Sequence, residues 1–357
     1  MNGCTNKVLL VVLLGLFVSA SALPACARQF SPDHSKIHYQ GRIDFSQGQN
    51  PDLVWQGSSV EFTLKGEKLQ LGFADVAEQA FFDLDVNGKT RLFKAENGWH
   101  NISLEQGVKK HHIKLFKRSE ANMGSARFTG IKADDKAKII TTKRNKPKKR
   151  FIFYGDSITA GACNEDGEHD QWQDFSTHNN RLSYGMFTAK ALNASYRNIS
   201  VSGMGISTGY VNVTVDQVWN RYNPKADAKP AWPAKYKPHV VFINFGENDD
   251  SYTAANKLPF PADFTERYVK LVKDMRKFYP KSHIVILRGG MTGGKKSERL
   301  IGPWQKVVAE LEKNDNKVHH YVFDNWYYLH PRVSHHRAMA DELSAWLLKQ
   351  TWYKRLY

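Results

Sequence analysis

The sequence predicts an α/β protein of two domains, a β-sandwich followed by a parallel sheet covered by helices. Two observations support this prediction. Hydrophobicity alternates with period two up to about residue 142, and apolar runs alternate with amphipathic helical segments after residue 150. A length of 357 residues is enough for two domains with separate cores. We predict a leader at 1–27, a β-sandwich at 28–142, a basic linker at 143–150 and an α/β domain at 151–357.

The first 27 residues have the pattern of a secretory signal peptide. Lys7 precedes the apolar stretch VLLVVLLGLFVSASAL, and small residues follow it. Cleavage after Ala25-Cys26-Ala27 would start the mature chain at Arg28, whereas Leu23-Pro24-Ala25-Cys26 resembles a bacterial lipobox that would attach lipid to Cys26. We favour export without lipid. Either interpretation places the protein outside the bacterial cytoplasm, in the periplasm, in the medium or on the outer membrane, with no transmembrane span in the mature chain.

The predicted sandwich is built from short strands with turn residues between them. VEFTLKGEKLQLGF (60–73) alternates around the turn at Gly66-Glu67. AFFDLDVNGKTRLFKA (80–95) alternates around Asn87-Gly88, a dipeptide typical of two-residue hairpin turns. Similar patterns follow in HHIKLFKRS and GSARFTGIKA, with no helical stretch between them. This spacing predicts a β-sandwich or jelly roll, and the basic segment 143–150 then forms an exposed linker.

The second domain shows the alternation of strands and helices that is typical of a parallel sheet. Strands are predicted at four apolar runs and at a weaker fifth: 151–154, 239–244, 283–287, 319–323 and 196–199. Helical periodicity of 3.6 residues is clearest at 264–279 and 334–350. Strands joined by helices form a parallel sheet with helices on both faces.

Polar residues with catalytic potential follow the predicted strands. Ser157 ends the triplet Gly155-Asp156-Ser157, which follows the strand at 151–154. Gly203 follows the weaker strand at 196–199, Asn248 follows the strand at 239–244, and His330 stands before the last helix. Because the carboxyl ends of parallel strands meet at one edge of the sheet, we expect these residues to lie close together. A serine, a histidine and donors for an oxyanion are the groups that acyl transfer needs.

These residues stand in four blocks that resemble the SGNH, or GDSL-type, hydrolases. The blocks are YGDSITAG, NISVSGMG, FGENDD and HPRVSHHRAMA. Thr159, two positions after Ser157, replaces the glycine of the G-x-S-x-G turn and so argues against an α/β-hydrolase. With a β-domain in front, WQGSSVEFTLKGEKLQLGF included, the chain resembles carbohydrate esterase family two. That resemblance implies a jelly roll followed by a flavodoxin-like, three-layer α/β/α SGNH domain.

The resemblance also implies a role for each block. Ser157 would be the nucleophile and His330 the base, while the backbone N–H groups of Ser157 and Gly203 and the side-chain amide of Asn248 would bind the oxyanion. The family usually places an aspartate three residues before the histidine, where this chain has Tyr327. Either Asp324 or a main-chain carbonyl would therefore orient His330, and we favour the carbonyl.

The implied reaction is removal of O-acetyl groups from a polysaccharide of the acetylxylan or glucomannan type. Aromatic residues near the predicted site, Trp326, Tyr327 and Trp304, are candidates for sugar contact, and the polar insertion 163–181 is expected to shape specificity. No cofactor or metal is expected, because the adjacent His335 and His336 would point apart on a helix.

Other functions fit the sequence less well. An SGNH lipid esterase, lysophospholipase or thioesterase is disfavoured by the hydrophilic insertion, and a non-catalytic carbohydrate-binding protein by the complete set of site residues. A net charge of +16 is compatible with nucleic-acid binding, but no zinc-finger, RRM or helix-turn-helix signature accompanies it. Of three cysteines only Cys163 lies beyond the leader, so no disulfide framework is expected.

Overall fold

The computed structural model describes residues 28–46, 48–144, 147–231 and 236–356. The predicted leader, with its cleavage site and Cys26, lies outside the described residues. Among the helices described, none combines the length and the hydrophobicity needed to cross a bilayer.

The N-terminal domain is a sandwich of two antiparallel sheets, as predicted. One sheet has the order β1-β10-β5-β8 with β3 paired to β10, and the other has the order β11-β4-β9-β6-β7 with β2 paired to β4. The strands are β1 (Arg28–Phe30), β2 (His38–Gln40), β3 (Asp52–Leu53), β4 (Ser59–Lys65), β5 (Leu69–Ala74), β6 (Phe81–Val86), β7 (Lys89–Lys94), β8 (Gly98–Asn101), β9 (Lys110–Lys117), β10 (Ala126–Ala133) and β11 (Lys138–Ile140).

The two predicted turns connect their strands in different ways. At Asn87-Gly88 both residues have positive φ (55° and 84°), and Val86 pairs with Lys89, so β6 and β7 form a two-residue hairpin. The turn at 66–67 instead carries the chain from one sheet to the other, since β4 and β5 belong to different sheets. In both cases the alternating apolar residues face the space between the sheets, where they form one buried cluster.

The C-terminal domain contains a parallel sheet of five strands: β12 (Lys149–Gly155), β13 (Ala194–Ser200), β14 (Val240–Asn244), β15 (His283–Arg288) and β16 (Val318–Val322). Their order is β13-β12-β14-β15-β16, which is the flavodoxin-like order 2-1-3-4-5. All five predicted strands are present. The first begins two residues early, because Lys149 and Arg150 of the predicted linker pair with Ala194 and Ser195.

Helices cover both faces of this sheet, and alternate residues of β12 show why. Phe151 and Phe153 point into the cluster that holds α2, α8 and α9, while Ile152 and Tyr154 point into the cluster that holds α3, α5 and α7. The helices are α1 (Ser157–Ala160), α2 (Tyr184–Ala191), α3 (Val215–Val218), α4 (Glu247–Ala255), α5 (Phe264–Phe278), α6 (Thr292–Lys296), α7 (Glu298–Asn314), α8 (Val333–Lys349) and α9 (Thr351–Lys354).

The two domains share a buried interface. Trp55 of the sandwich is fully buried in the same apolar cluster as Ile199 and Val201 of the second domain. Around this contact, the Gln56 amide donates to Asn198 Oδ1 at 2.7 Å, and the Arg42 guanidinium donates to the Trp219 carbonyl at 2.6 Å. Residues of both domains can therefore contribute to one site.

Candidate active site

A cavity of about 590 Å³ lies at the carboxyl ends of β12, β13 and β14. This is the edge of an open α/β sheet where ligands usually bind. The cavity is lined by residues of both domains, namely Asn122, Met123, Ser157, Trp172, Phe175, Ser202, Gly203, Tyr210, Glu247, Asn248, Ser251, Met291 and His330. The structure thus brings Ser157, Gly203, Asn248 and His330 together, as the order of the sequence blocks predicts.

Ser157 is placed by an abrupt change from strand to helix. It is the first residue of α1, and the Asp156 carboxylate caps that helix by accepting the Ile158 N–H at 3.0 Å. The last residue of β12, Gly155, has to be a glycine, because a Cβ at this position would lie 2.1 Å from Thr159 Oγ1. The strand therefore ends and the helix begins within two residues, which leaves Ser157 at the wall of the cavity.

Ser157 and His330 form a hydrogen-bonded chain that ends at Asp170. Ser157 Oγ lies 2.9 Å from His330 Nε2, and His330 Nδ1 lies 2.6 Å from Asp170 Oδ2. A carboxylate accepts the ring N–H at Nδ1, so Nε2 is left to accept the serine proton. This is the geometry of a nucleophile, a general base and an acid that orients the base.

Asp170 is itself held by its neighbours. Arg332 Nη1 donates to Asp170 Oδ1 at 2.7 Å, and the His330 backbone N–H donates to Oδ2 at 3.3 Å. Burial raises the pKa of Asp170, but the bonds from His330 and Arg332 outweigh it and lower the pKa to about 2. The carboxylate is therefore ionised at neutral pH.

Both predictions about the group that orients His330 are wrong in this structure. Asp324 points away into solvent, with 88% of its side chain exposed, and pairs with Lys295 at 3.1 Å. Its backbone N–H donates to Glu342 at 2.8 Å, which holds this stretch of the loop against α8. A main-chain carbonyl does not take its place, because Nδ1 is bonded to Asp170. The acid comes from the insertion 163–181, whose several carboxylates sequence spacing alone could not tell apart.

Two backbone N–H groups are available for an oxyanion. Among the hydrogen bonds of the described residues, none has the backbone N–H of Ser157 or Gly203 as its donor. Gly203 has a φ of 80°, and a Cβ at this position would lie 3.1 Å from Tyr210 Cβ and 3.3 Å from Val211 Cγ1. Only glycine is free of strain there, and it lets the backbone approach a ligand closely.

Asn248 lies in the first turn of α4 and reaches the same cavity. Its amide Nδ2 lies 3.1 Å from the Met204 carbonyl and 3.3 Å from Asp156 Oδ2. Both amide hydrogens therefore have protein partners. Donation to an oxyanion would require Asn248 to give up one of these two bonds.

Buried carboxylates on α4 hold the loops around the cavity. Asp249 accepts the N–H groups of Ile206, Ser207 and Thr208 at 2.8, 2.7 and 3.1 Å, which fixes the loop after Gly203. Burial raises the pKa of Asp249 to about 6, although these bonds oppose the shift. Glu247 accepts the N–H groups that begin α6, and burial raises its pKa to about 7.

The aromatic residues proposed for sugar contact are not those that line the cavity. Trp304 lies on the buried side of α7 and is 2% exposed, so its prediction as a substrate contact is wrong. The Trp326 ring lies under the Lys296 ammonium at 4.1 Å, and the Tyr327 ring stacks on His335 at 4.3 Å. Neither of these two side chains lines the cavity.

The insertion supplies the aromatic wall instead. Trp172 is 43% exposed and packs edge-on against the His330 ring at 4.4 Å, and Phe175 lines the cavity beside it. The sandwich holds this insertion in place. Gln79 accepts the Phe175 N–H at 3.1 Å, and Arg118 donates to the Ser176 carbonyl at 2.7 Å. The polarity of the segment hid these two aromatic residues from sequence reasoning.

One group of side chains in the described residues has the spacing of a metal site. Ligand atoms of Cys163, Asp170 and His330 lie within 4.8 Å of one another. Asp170 and His330 are bonded to each other, however, and Cys163 Sγ lies 3.4 Å from His178 Nε2. A cation would have to break the chain that orients His330, so we assign no metal to this group.

Both domains match known families. The N-terminal domain matches the family described as carbohydrate esterase 2 N-terminal over residues 39–142, and the second domain matches the GDSL-like lipase/acylhydrolase family over residues 153–347.

Relatives share sequence over most of the chain. It is 31% identical over 338 residues to a cellulase/esterase CelE of Acetivibrio thermocellus, covering 88% of this chain but only 39% of that protein's length. It is 28% identical over 357 residues to an acetylxylan esterase / glucomannan deacetylase of Cellvibrio japonicus, covering 94% of this chain and 96% of the relative.

Solved structures show the same arrangement of domains. A family two carbohydrate esterase from Clostridium thermocellum in complex with cellohexaose is 28% identical and superposes with a TM-score of 0.78, covering 88% of this chain and 99% of that chain. A family two carbohydrate esterase from Cellvibrio japonicus gives a TM-score of 0.81 at 19% identity, covering 93% and 99% of the two chains. At that identity the second likeness concerns the fold alone.

Proposed function

Because the chain belongs to the GDSL-like lipase/acylhydrolase family and carries the N-terminal domain of family two carbohydrate esterases, we propose that it is an exported serine esterase that removes O-acetyl groups from polysaccharide. The observation that carries the proposal is the chain Ser157–His330–Asp170, with contacts of 2.9 and 2.6 Å at the wall of an aromatic cavity. The predicted leader supports export, and the names of the relatives support an acetylated xylan or glucomannan as the substrate.

The proposed reaction proceeds through an acetyl-enzyme. His330 Nε2 takes the proton of Ser157 as Oγ attacks the acetyl carbonyl carbon, and the resulting oxyanion is held by the N–H groups of Ser157 and Gly203 and the amide of Asn248. The intermediate collapses when the bond to the sugar oxygen breaks, and His330 returns its proton to that oxygen. Water, deprotonated by His330, then releases acetate and regenerates Ser157.

Asp170 stays ionised through this cycle. Its carboxylate fixes the tautomer in which Nε2 is the acceptor, and it stabilises the imidazolium that forms when His330 takes the serine proton. Arg332 on its other oxygen prevents the carboxylate from rotating away.

The cavity wall fits a sugar ring better than a long acyl chain. Trp172 and Tyr210 both line the cavity and are 43% and 55% exposed, so each can stack on a pyranose face in contact with solvent. A lipid esterase would need a deep, covered apolar channel.

Acetate release tests the proposal. The protein should release acetate from acetylated xylan or glucomannan and hydrolyse p-nitrophenyl acetate, while Ser157→Ala should do neither. Faster hydrolysis of p-nitrophenyl palmitate than of the acetate would assign the protein to the lipid esterases. No hydrolysis of any ester by the folded protein would leave only carbohydrate binding.

A further inference from the structure

Glu120 of the N-terminal domain extends into the second domain beside the candidate site. It follows β9, and its side chain is completely buried. One carboxylate oxygen, Oε1, accepts His178 Nδ1–H at 2.9 Å, and the other, Oε2, accepts the backbone N–H of Ser202 at 3.1 Å. A single carboxylate thus contacts both the insertion that carries Asp170 and the loop that carries Gly203.

Glu120 is ionised in this buried position. Burial raises the pKa of its carboxyl group, but the bonds from His178 and Ser202 outweigh that effect and hold the pKa below its usual range. The buried Lys117 side chain donates to the Glu120 carbonyl at 3.1 Å and to the Ser119 carbonyl at 2.7 Å. Burial lowers the pKa of Lys117 to about 7, so this group carries only part of a positive charge at neutral pH. A buried carboxylate is tolerated only with such partners, and losing one of them is costly.

The contact with Ser202 lies one residue before a predicted oxyanion donor. The loop after Gly203 is fixed by Asp249, and the Gly203 carbonyl accepts the Tyr210 N–H at 2.8 Å. On the side before Gly203, Glu120 fixes the backbone N–H of Ser202. Because Gly203 has no Cβ and adopts a positive φ of 80°, no side chain of its own restricts its backbone, so the direction of its N–H depends on how the residues on both sides are held.

We propose that Glu120 is a positioning residue that holds the Gly203 N–H in line for the oxyanion, so that the N-terminal domain completes the oxyanion hole of its neighbour. The inference rests on the proposed function, since it concerns the transition state of that reaction. The cavity residues Asn122 and Met123 come from the same segment of the sandwich, which agrees with a site assembled from both domains.

Three substitutions at this position separate the parts of the contact. Glu120→Met keeps the length but offers no acceptor, and Glu120→Gln keeps a neutral oxygen that can still accept the Ser202 N–H. Glu120→Asp keeps the charge beside Lys117 but withdraws the carboxylate from Ser202. Arg42→Met is the matched control, because it also removes a buried charge that bonds across the domain interface, near Trp219 and away from Gly203.

The variants are compared by kcat, KM and Tm on p-nitrophenyl acetate. We expect Glu120→Met and Glu120→Asp to lower kcat by about 10- to 100-fold with KM within about twofold, below the 10²–10³ for complete loss of one donor. Glu120→Gln should recover kcat to within about threefold of wild type, and Arg42→Met should lower Tm while leaving kcat within about twofold.

Several results would overturn the proposal. Glu120→Asp with a kcat within threefold of wild type would do so, and this variant decides the question if Glu120→Met does not fold. So would a loss expressed in KM, or an equal fall of kcat in Arg42→Met. If the Glu120 variants are normal while Ser157→Ala is inactive, only this inference fails. If Ser157→Ala is active, the proposed function fails with it.

Discussion

Two chains of carboxylate, histidine and nucleophile lie next to each other in this molecule. In one, Asp170 bonds His330 Nδ1 at 2.6 Å and His330 Nε2 lies 2.9 Å from Ser157 Oγ. In the other, Glu120 bonds His178 Nδ1 at 2.9 Å and His178 Nε2 lies 3.4 Å from Cys163 Sγ. The order of groups is the same in both, and both chains pass through the insertion 163–181.

The two chains differ in access and in their surroundings. Ser157 and His330 line the cavity, whereas Cys163, His178 and Glu120 are fully buried outside it. Burial raises the pKa of the Cys163 thiol far above its usual value, and the nearby carboxylates of Asp170 and Asp166 raise it further. The thiol is therefore neutral at pH 7 and unreactive. Residue types in the right order do not make a catalytic site unless a substrate can reach the nucleophile and hydrogen-bond donors are placed to bind the oxyanion.

The largest expected change in kcat distinguishes Ser157 from Cys163. Ser157→Ala should lower kcat for acetate release by about 10⁵-fold or more, since the nucleophile and base act as one unit. Cys163→Ala should leave kcat within about twofold, because no substrate reaches the thiol. Steady-state kinetics on p-nitrophenyl acetate, with circular dichroism to verify folding, checks both variants. A large loss in Cys163→Ala with normal Ser157→Ala would reverse the comparison.

The next test compares Asp170, which is bonded to His330, with Asp324, which is not. Asp170→Asn should lower kcat by about 10³- to 10⁴-fold, because the imidazole loses the carboxylate that fixes its tautomer. Asp324→Asn is the matched control, and its kcat should fall by less than about tenfold because its side chain is exposed and paired with Lys295. The same kinetic assay compares the two variants. Equal losses in both would mean that Asp170 does not orient His330.

A smaller loss is expected for Asn248, the predicted side-chain donor to the oxyanion. Asn248→Ala should lower kcat by about 10²–10³ with a smaller change in KM. Asn256→Ala, on the exposed end of the same helix, is the control and should be unchanged, as its amide only caps the Tyr252 carbonyl at 2.8 Å. A raised KM at constant kcat would instead show that Asn248 binds the ground state.

The smallest effect concerns pH. Burial raises the pKa of Glu247 to about 7 from its ordinary 4.5, so between these values the folded protein holds a proton that the unfolded chain has lost. Stability therefore falls as pH rises through this window. Glu247→Gln has no such proton, so its free energy of unfolding should fall less between about pH 5 and pH 7.5. Urea titrations at both pH values measure the difference, and parallel changes in the two proteins would contradict it.

The periodicity of hydrophobic residues and the residue types at turns made most of the fold predictable from the sequence. The hairpin at Asn87-Gly88 and the five parallel strands follow from local patterns that the structure retains. Ser157, Gly203, Asn248 and His330 could be brought together because each follows a strand or precedes a helix at one edge of the sheet. Their catalytic roles stay predictions.

The parts that escaped prediction depend on how loops fold. Asp170 lies 160 residues before its partner His330, in an insertion with no periodicity, and Trp172 stands two residues further on. Their positions depend on contacts with Gln79 and Arg118 of the other domain, which no local pattern encodes. For Trp304, by contrast, a local pattern was sufficient. Its place on an amphipathic helix already favoured the core over contact with a sugar.

We propose that substrate access and oxyanion donors, rather than residue types, make Ser157 the reactive nucleophile. The most direct measurement is a peptide map by mass spectrometry after the native protein has reacted with both a fluorophosphonate and iodoacetamide. We predict one phosphonyl adduct on Ser157, formed with loss of fluoride, and no alkylation of Cys163 until the protein is unfolded. Alkylation of Cys163 in the native protein, or a phosphonyl adduct on any residue other than Ser157, would contradict the claim.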